Sequence, residues 1–569
     1  MCGIFGILNK NSSTISYNPE YINRSFKKGY KRGPEQSNYQ VVNDFTEFGF
    51  HRLAINGLND NSTQPICIEG CILICNGEIY NYKELYASLL SKNVMPYTDS
   101  DCEIIIHMYK HYGIHETLLK INGEFAFALY DTDKCLMYLA RDPIGVRPLY
   151  TSGYLDQNIE QVIYFASEIK MLHPFINSQM EIEQFKPGSY ITMHENLGKW
   201  SLYNKPIQYY EPYNFNSHIR GCECFNCCRR YMMHITAVKN DNRPILRLIN
   251  KTLNECVKRR VTTSDRPIAC LLSGGLDSSL ITALVSKYYD KGQLETYSIG
   301  LPGSEDLKFS QIVADHLGTK HTQVIMTEQE FFDAIPEVIE SIESYDTTTV
   351  RASVGNYLIA KYIAQHSQAK VIFNGDGSDE ITGGYMYFHN APDHKSFDAE
   401  CYRLLGDIHN FDVLRSDKSV ASNGLEPRTP FLDKEFIDAY MSIPSQIRFH
   451  PGNNKCEKFL LRSAFECENI LPKEVLWRTK EAFSDGVSSL KKSWYQIIDE
   501  KICASLGEVN NFVTKFNPPQ TREQRYYRTF FENVYPDCGY IIPYFWMPRF
   551  VNNATDSSAR TLSIYNVHI

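Results

Sequence analysis

Residues 268–279 read IACLLSGGLDSS, and this stretch decides how the larger part of the chain folds. Residues 268–272 form a short continuous apolar run, the kind buried on both faces in a parallel sheet. Ser273, Gly274 and Gly275 interrupt it, and a helical pattern opens at about residue 277. The two glycines let backbone approach phosphate oxygens closely. Ser273, Ser278 and Ser279 offer hydroxyl donors, and a helix N-terminus favours an anion. Asp277 in the same turn would repel phosphate unless a cation bridges them, which points to Mg²⁺. The pattern GxxxxGK[ST] is absent, so γ-phosphoryl transfer of that type is not indicated. A capped strand–helix turn without a ligand is the plain alternative.

Working outward, the same alternation recurs. A helix over about 244–259 precedes the strand. The strands ETYSIGL (295–301), TQVIM (322–326) and KVIFN (370–374) follow, with helices from about 308 and over 353–366 between them. This predicts an α/β domain whose parallel sheet is covered by helices. After about residue 396 the pattern is mainly helical. The first ~210 residues differ: CGIFGIL, TEFGFHRLAI, CILICNGEIY, EFAFALYDT, CLMYLARD and VIYFASE are short β-type runs punctuated by Gly, Asn or Asp. They predict an antiparallel β-rich α+β domain with helices over 82–92 and 102–112. The expected divisions are residues 2–211, a polar linker 212–243, residues 244–555 and a tail 556–569.

The chain has 569 residues, 43% hydrophobic and 22% charged, which is ordinary globular composition and enough for several domains. Its net charge is −8 and Lys and Arg never form a block, so nucleic acid is not an expected partner. The 17 cysteines are odd in number and mostly lie in apolar runs, consistent with reduced thiols and a cytoplasmic location. The N-terminus lacks the basic region of a signal peptide, and no stretch approaches the ~20 apolar residues that span a bilayer. CECFNCC (222–228) crowds four cysteines too closely for a usual zinc site and is read as a variable loop, with metal binding through His218 or His234 the weaker alternative.

Cys2 directly follows Met1. Met1 removal would leave an α-amine beside the thiol. An α-amine has a pKa near ~8, so it can act as base for its own side chain. A buried apolar cysteine opening a strand is the alternative on position alone. The neighbours shift that weighting: MCGIFG is followed in order by RGPE (32–35), HRLAI (51–55), NGEIYN (76–81), SDCE (100–103) and RDPIGVRPLY (141–150). Over residues 2–210 the chain resembles class II glutamine amidotransferases, the N-terminal-nucleophile glutaminases with an antiparallel β-sheet sandwich. The resemblance implies that Cys2 attacks the glutamine amide and that Asn76 and Gly77 form an oxyanion hole. It also implies that Arg52 grips the glutamine α-carboxylate. Glu78 and Asp101 would recognise glutamine, with Asp101 facing its α-ammonium.

The 271–279 string resembles the pyrophosphate loop of N-type ATP pyrophosphatases, which cleave ATP to AMP and pyrophosphate. YDTTTVRAS (345–353), NGDGSDE (374–380), FDVLRSDKS (411–419), GLEPRTPFLD (424–433), EKFLLR (457–462), WRTKEAFSDGV (477–487) and YFWMPRF (544–550) follow in order. With both halves, the chain resembles the glutamine-hydrolysing asparagine synthetases, in wording the animal-type enzymes. The resemblance implies ammonia release from glutamine, an internal passage for it, and its capture by β-aspartyl-AMP made from aspartate and ATP. Adenylation is needed because oxide is too poor a leaving group for ammonia to displace. ATP would contact Leu271, Ser273, Gly274, Gly275, Asp277 and Ser278, with Asn374 and Gly375 near AMP. Asp277 and Asp379 would hold Mg²⁺, and Lys458 would neutralise phosphate charge. Arg351 is a candidate for a phosphate or the aspartate carboxylate.

One departure stands out. The family wording is Ser-Gly-Glu-Gly-Ser-Asp-Glu, and here Asn374 and Asp376 replace the first serine and the glutamate. The resemblance assigns that glutamate the removal of a proton from attacking ammonia. Asp376 is one methylene shorter, about 1.5 Å, and is expected to keep the role. A related amidotransferase acting on another carboxylate and an inactive regulatory homologue are the competing readings. A β-lactam-forming relative is disfavoured by the presence of Cys2. A homodimer is left open.

Overall fold

The structure, a computed structural model, describes residues 1–9, 18–152, 162–176, 180–212, 241–452, 455–481, 483–505, 514–551, 554 and 556–562. The cysteine-rich stretch 222–228 lies outside the described residues.

Two six-stranded antiparallel sheets build the N-terminal half. The first contains β1 (Gly3–Leu8), β2 (Gln36–Asn43), β3 (Thr46–Arg52), β8 (Tyr150–Ser152), β9 (Ile163–Ala166) and β10 (Ile182–Gln184), in the order β10-β8-β9-β1-β3-β2. The second contains β4 (Ile66–Ile68), β5 (Cys71–Ile79), β6 (Gly123–Asp131), β7 (Leu136–Arg141), β11 (Ser189–Asn196) and β12 (Lys199–Gln208), in the order β12-β11-β7-β6-β5-β4. Alternation along β1 explains the layering. Ile4 and Leu8 enter the apolar layer shared with Ile74, Ala126 and Leu139 of the other sheet. Phe5 and Ile7 point the opposite way, into a core shared with the C-terminal half. Gly6 faces the Phe165 ring, where an added Cβ would come within 2.1 Å. The outer face of the second sheet is covered by the helices Tyr82–Leu89 and Ile104–Lys120. The latter runs eight residues beyond its expected end, across a kink at Gly113 with φ 76°.

The C-terminal half is built on a five-stranded parallel sheet. Its strands are β13 (Ile268–Leu271), β14 (Glu295–Gly300), β15 (Lys320–Ile325), β16 (Val371–Phe373) and β17 (Glu426–Arg428), in the order β15-β14-β13-β16-β17. Successive strands step one way from β13 and then the other, so the topological switch lies between β13 and β16, where ligands of such sheets bind. β17 falls in a region expected to be helical. It is three residues long, contains Pro427 and forms the sheet edge, the place where proline is tolerated. The helix Thr347–His366 starts six residues earlier than its apolar pattern indicates, because Asp346 caps it through the Thr349 amide at 2.9 Å.

The two halves meet through buried ions. Arg32 Nη1 lies 2.8 Å from Asp417, and Arg147 contacts both Asp417 (3.4 Å) and Glu124 (3.0 Å). Arg260 bridges Glu124 (3.1 Å) and Asp433 (2.5 Å). Lys418 pairs with Glu343, which also accepts the amides of Ile169 and Lys170 at 2.9 and 2.8 Å. Breaking a buried pair leaves an uncompensated charge and costs about 3–5 kcal/mol. Asp417→Ala, which affects two arginines that each keep one other carboxylate, is expected at the lower end of that range. A clearly lowered thermal transition, with Asp417→Asn in between, is the expected result of a melting measurement.

Candidate active sites

The first site gathers at the ends of β1, β3 and β5. Gly3 pairs with His51, which sets Cys2 at the end of the ladder beside Arg52 and Leu53. The Cys2 thiol faces the Leu53 carbonyl at 3.7 Å, and its own carbonyl accepts from Arg32 Nε at 3.0 Å. Burial pushes the Cys2 thiol up. Met1 is buried, and its ammonium lies 3.9 Å from Glu426. Burial lowers that amine.

Asn76 sits on β5. Its Nδ2 donates to Ser167 Oγ at 3.4 Å, and Ser167 Oγ also accepts the Ile4 amide at 3.0 Å, tying β5 to β1. Asn76 Oδ1 is buried without a hydrogen-bond partner among the described residues. Gly77 is fixed by close packing, since a Cβ would come within 2.3 Å of the Glu124 carbonyl. Arg52 donates to Thr63 Oγ1 at 2.9 Å and to the Gly57 carbonyl at 2.5 Å, and has no carboxylate partner among the described residues. A buried guanidinium is a forked donor whose geometry fits a carboxylate. Glu78 accepts from Asn56, and Arg428 lies 3.7 Å away. Asp101 accepts the Ile79 amide at 2.6 Å. Burial, reinforced by Asp101 and Glu426, raises Glu78 well above the usual range, and burial pushes Asp101 up to about 6. Such a depot of acids is suited to an incoming ammonium.

The second site lies at the topological switch. β13 delivers Leu271 and the loop 272–275, and the helix Leu276–Tyr288 begins with Asp277 and Ser278. Gly274 has φ +73°, and a Cβ there would come within 2.4 Å of the Ser310 amide. The loop is closed by its serines: Ser273 and Ser278 hydroxyls lie 2.9 Å apart, and Ser273 Oγ accepts the Gly275 amide at 3.3 Å. From β16 the chain passes into Asn374. Gly375 presses its backbone on the start of the helix, where a Cβ would come within 2.7 Å of Ser278 N.

Four charges meet between these loops. Lys458 Nζ lies 2.5 Å from Asp277 and 2.6 Å from Asp379. Lys480 Nζ lies 2.6 Å from Asp379 and 3.5 Å from Asp277. Burial would raise Asp277, but the two ammonium groups hold it down to about 2. Lys458 holds φ +58°, an unfavourable conformation for a lysine that aims its side chain into the cluster. The two carboxylates converge, and Asp277 Oδ1 is buried without a hydrogen-bond partner among the described residues. Hard oxygen donors, few in number, suit a magnesium ion that completes its shell with substrate phosphates and water.

Asp376 lies beside this cluster. Its amide donates to Asn374 Oδ1 at 3.2 Å and its Oδ1 accepts from Arg415 at 3.1 Å, while Oδ2 is buried with no hydrogen-bond partner among the described residues. Arg415 also reaches Asp412 at 2.9 Å. Asp412 and Glu380 share the Tyr385 hydroxyl at 3.3 and 2.6 Å, and burial, then Asp412, raises Glu380 well above the usual range.

The structure thus brings together Cys2, Arg52, Asn76, Gly77, Glu78 and Asp101 at one end, and Leu271, Ser273, Gly275, Asp277, Ser278, Asn374, Gly375, Asp376, Asp379 and Lys458 around one cavity. Arg351 requires correction. Its guanidinium grips Glu523 at 2.5 and 2.8 Å and Asp556 at 2.7 Å, so it is not available to a phosphate or substrate carboxylate. Lys480, Arg415 and Tyr385 were missed as individual residues. The first two stand in the stretches WRTKEAFSDGV and FDVLRSDKS, and a cation in each was the available signal.

Comparison with known proteins follows the same division. The model of the glutamine amidotransferase domain matches residues 1–216, and that of asparagine synthase matches 248–398 and 390–540. The chain is 40% identical over 557 residues to an asparagine synthetase (glutamine-hydrolyzing) of Homo sapiens, covering 94% of each. It is 40% identical over 556 residues to that of Gallus gallus, again covering 94% of each.

The four-charge cluster makes a prediction independent of turnover. Two ammonium groups compete with a metal for the same carboxylates. Lys458→Met should therefore raise the affinity for Mn²⁺ without nucleotide by roughly tenfold, about 1.4 kcal/mol, as read by electron paramagnetic resonance. Asp277→Asn should abolish that gain.

Proposed function

The chain belongs to the glutamine-hydrolysing asparagine synthetase family, and from that premise we propose that it makes asparagine from aspartate, ATP and glutamine. The observation that carries the reading is the pairing of two sites in one chain: a cysteine beside an arginine that meets no carboxylate among the described residues and beside raised acids, and a phosphate-type loop beside converging carboxylates.

At the first site Cys2, freed of Met1, is the nucleophile and its own α-amine the base. Arg52 receives the glutamine α-carboxylate, and Asp101 with Glu78 receives the α-ammonium. Asn76 Nδ2 and the Gly77 amide stabilise the developing oxyanion. The product is a thioester at Cys2 plus ammonia. Water then releases glutamate.

At the second site the loop 273–278 and the helix N-terminus cradle the ATP phosphates. Asp277 and Asp379 would hold Mg²⁺, which supplies charge neutralisation on the pyrophosphate. Lys458 and Lys480 turn from those carboxylates to phosphate oxygens. The aspartate β-carboxylate attacks the α-phosphorus, pyrophosphate leaves, and ammonia displaces AMP. Asp376, with one oxygen held by Arg415 and the other unpartnered, accepts the proton from the attacking nitrogen. The protein works without nucleic acid and, as a reduced-thiol protein, in the cytoplasm. A homodimer is the simplest assembly for such an enzyme.

The deciding assay supplies ATP, Mg²⁺, glutamine and aspartate and measures AMP, pyrophosphate and asparagine. Aspartate-dependent AMP is expected, and its absence would refute the reading. Cys2→Ala should abolish glutamine-dependent synthesis and leave ammonia-dependent synthesis intact.

The raised acid gives a pH signature. Asp101 must be ionised to face an ammonium, and burial holds its carboxyl at about 6 against an ordinary 3.8. Glutaminase kcat/KM should fall as pH drops through about 6, and Asp101→Asn should flatten that step while weakening glutamine binding. For folding the sign is opposite. The stabilisation from neutral Asp101 is complete below the ordinary value and is lost as pH rises through about 6.

A further inference from the structure

Beyond the residues assigned above, the C-terminal segment touches the second site. Ser557, Ala559 and Leu562 line the cavity that also holds Asp277, Asp379 and Lys480. No motif in the sequence marks residues 556–562, and they were expected to be a tail.

Three buried contacts lock this segment in place. Arg351, 4% exposed, inserts its guanidinium between Asp556 and Glu523 of the helix Arg522–Val534. Ser558 Oγ donates to Asp485 Oδ1 at 2.7 Å, with Asp485 2% exposed. Arg560 Nε donates to Glu481 Oε1 at 2.9 Å, and its Nη1 to the Ser489 carbonyl at 2.8 Å. Glu481 follows Lys480 directly, and Asp485 lies in the short helix Phe483–Gly486. The segment is therefore fastened through Ser558 and Arg560 to the stretch that presents Lys480 to Asp379, and through Asp556 to Arg351.

The helix Thr347–His366 serves both purposes. Thr348, Ala352 and Asn356 on one face line the cavity, and Arg351 on the neighbouring face holds the segment. Phe483 packs against the same helix at Gly355, where a Cβ would come within 2.9 Å of its ring. A forked guanidinium satisfies two carboxylates at once, and a lysine cannot reproduce both bidentate pairings.

We propose that residues 556–562 form a wall of the ATP site and that Arg351 is a positioning residue, which holds that wall and through it Lys480. The claim rests on the reading of the second site as an ATP site. Without the lock, Asp556 and Glu523 repel each other, the wall leaves, and the stretch 480–485 loses its partners on one side. A displacement of about 1 Å at a phosphate-facing ammonium is enough for a large loss.

The test uses the full-length chain, a chain ending at residue 553, Arg351→Ala, Arg351→Lys and Asp556→Asn. Two quantities are read: calorimetric MgATP affinity without turnover, and the KM for MgATP in ammonia-driven synthesis. The shortened chain and Arg351→Ala should weaken MgATP binding and raise KM by roughly tenfold or more, with kcat changed less. Glutaminase activity and the thermal transition of the N-terminal half should be unchanged. Arg351→Lys and Asp556→Asn, which preserve more of the contact, should fall between these and the wild type. MgATP binding by the shortened chain, or by both Asp556→Asn and Arg351→Lys, that equals the wild type would overturn the proposal. If the wild type binds MgATP but makes no asparagine, the functional reading fails, while the wall is still judged by the binding data.

Discussion

The structure depends on a set of buried charges between its halves, centred on Asp417, Glu124 and the arginines 32, 147 and 260. Ions taken out of water are costly unless each finds a partner in good geometry. Here each of these three arginines meets two carboxylates. Arg428 adds Glu426 at 2.9 Å and the carbonyls of Arg260 and Thr263 at the end of the helix Arg243–Thr262. Such a network gains little net free energy over an apolar contact, but it permits one relative placement of the halves, since any shift strands a charge. An apolar interface would slide more readily.

That constraint reaches both sites through one helix, Asp412–Ala421, whose residues 413–421 are all buried. Arg415 turns toward Asp376 at the second site. Asp417, two residues on, holds Arg32, whose Nε bonds the carbonyl of Cys2 at the first. Lys418 meets Tyr150 of β8, in the other half, at 2.8 Å, and Glu343 of its own half. Consecutive residues of a helix project in different directions, about 100° apart, so a single short element faces both centres. This is a continuous physical connection. It fixes the relative geometry of Cys2 and Asp376; energetic coupling would need a two-state element.

The sequence made the parallel sheet legible because its strands are continuous apolar runs set off by glycine or serine turns, as in residues 268–275. The antiparallel half was legible from alternation and punctuation. β17 escaped because Glu426, Pro427 and Arg428 carry no strand signal; they form an edge strand only because Glu426 meets the Lys370 carbonyl and Val371. Close backbone approach was readable where a motif carries glycine, as at Gly274 and Gly375. Lys480 and the contacts of Arg351 were not, because their partners lie 101 and 172–205 positions away along the chain. A cation in a motif announces charge, while only the fold states which anion it meets. For Arg351 the nearby acid Asp346 was the natural local partner, yet Asp346 caps the helix through the Thr349 amide and accepts the Trp546 amide at 2.7 Å.

The pair Asn374 and Asp376 shows how two substitutions in one turn fit each other. A shorter acid at 376 has less reach, so its backbone must be fixed more firmly if the carboxylate is to be placed. Asn374 contributes to that: its Oδ1 accepts the Asp376 amide at 3.2 Å, while its Nδ2 is anchored on Ser416 Oγ at 2.7 Å. A serine at 374 has a shorter side chain and a single hydroxyl, and cannot both accept that amide and donate to Ser416 across the same span. Ser416 in turn lies next to Arg415, which takes Asp376 Oδ1. The turn, the anchor and the guanidinium thus form one closed set around the acid, leaving Oδ2 buried and open. The longer Asn side chain at 374 and the shorter Asp side chain at 376 are therefore better read as one coupled change than as two independent losses.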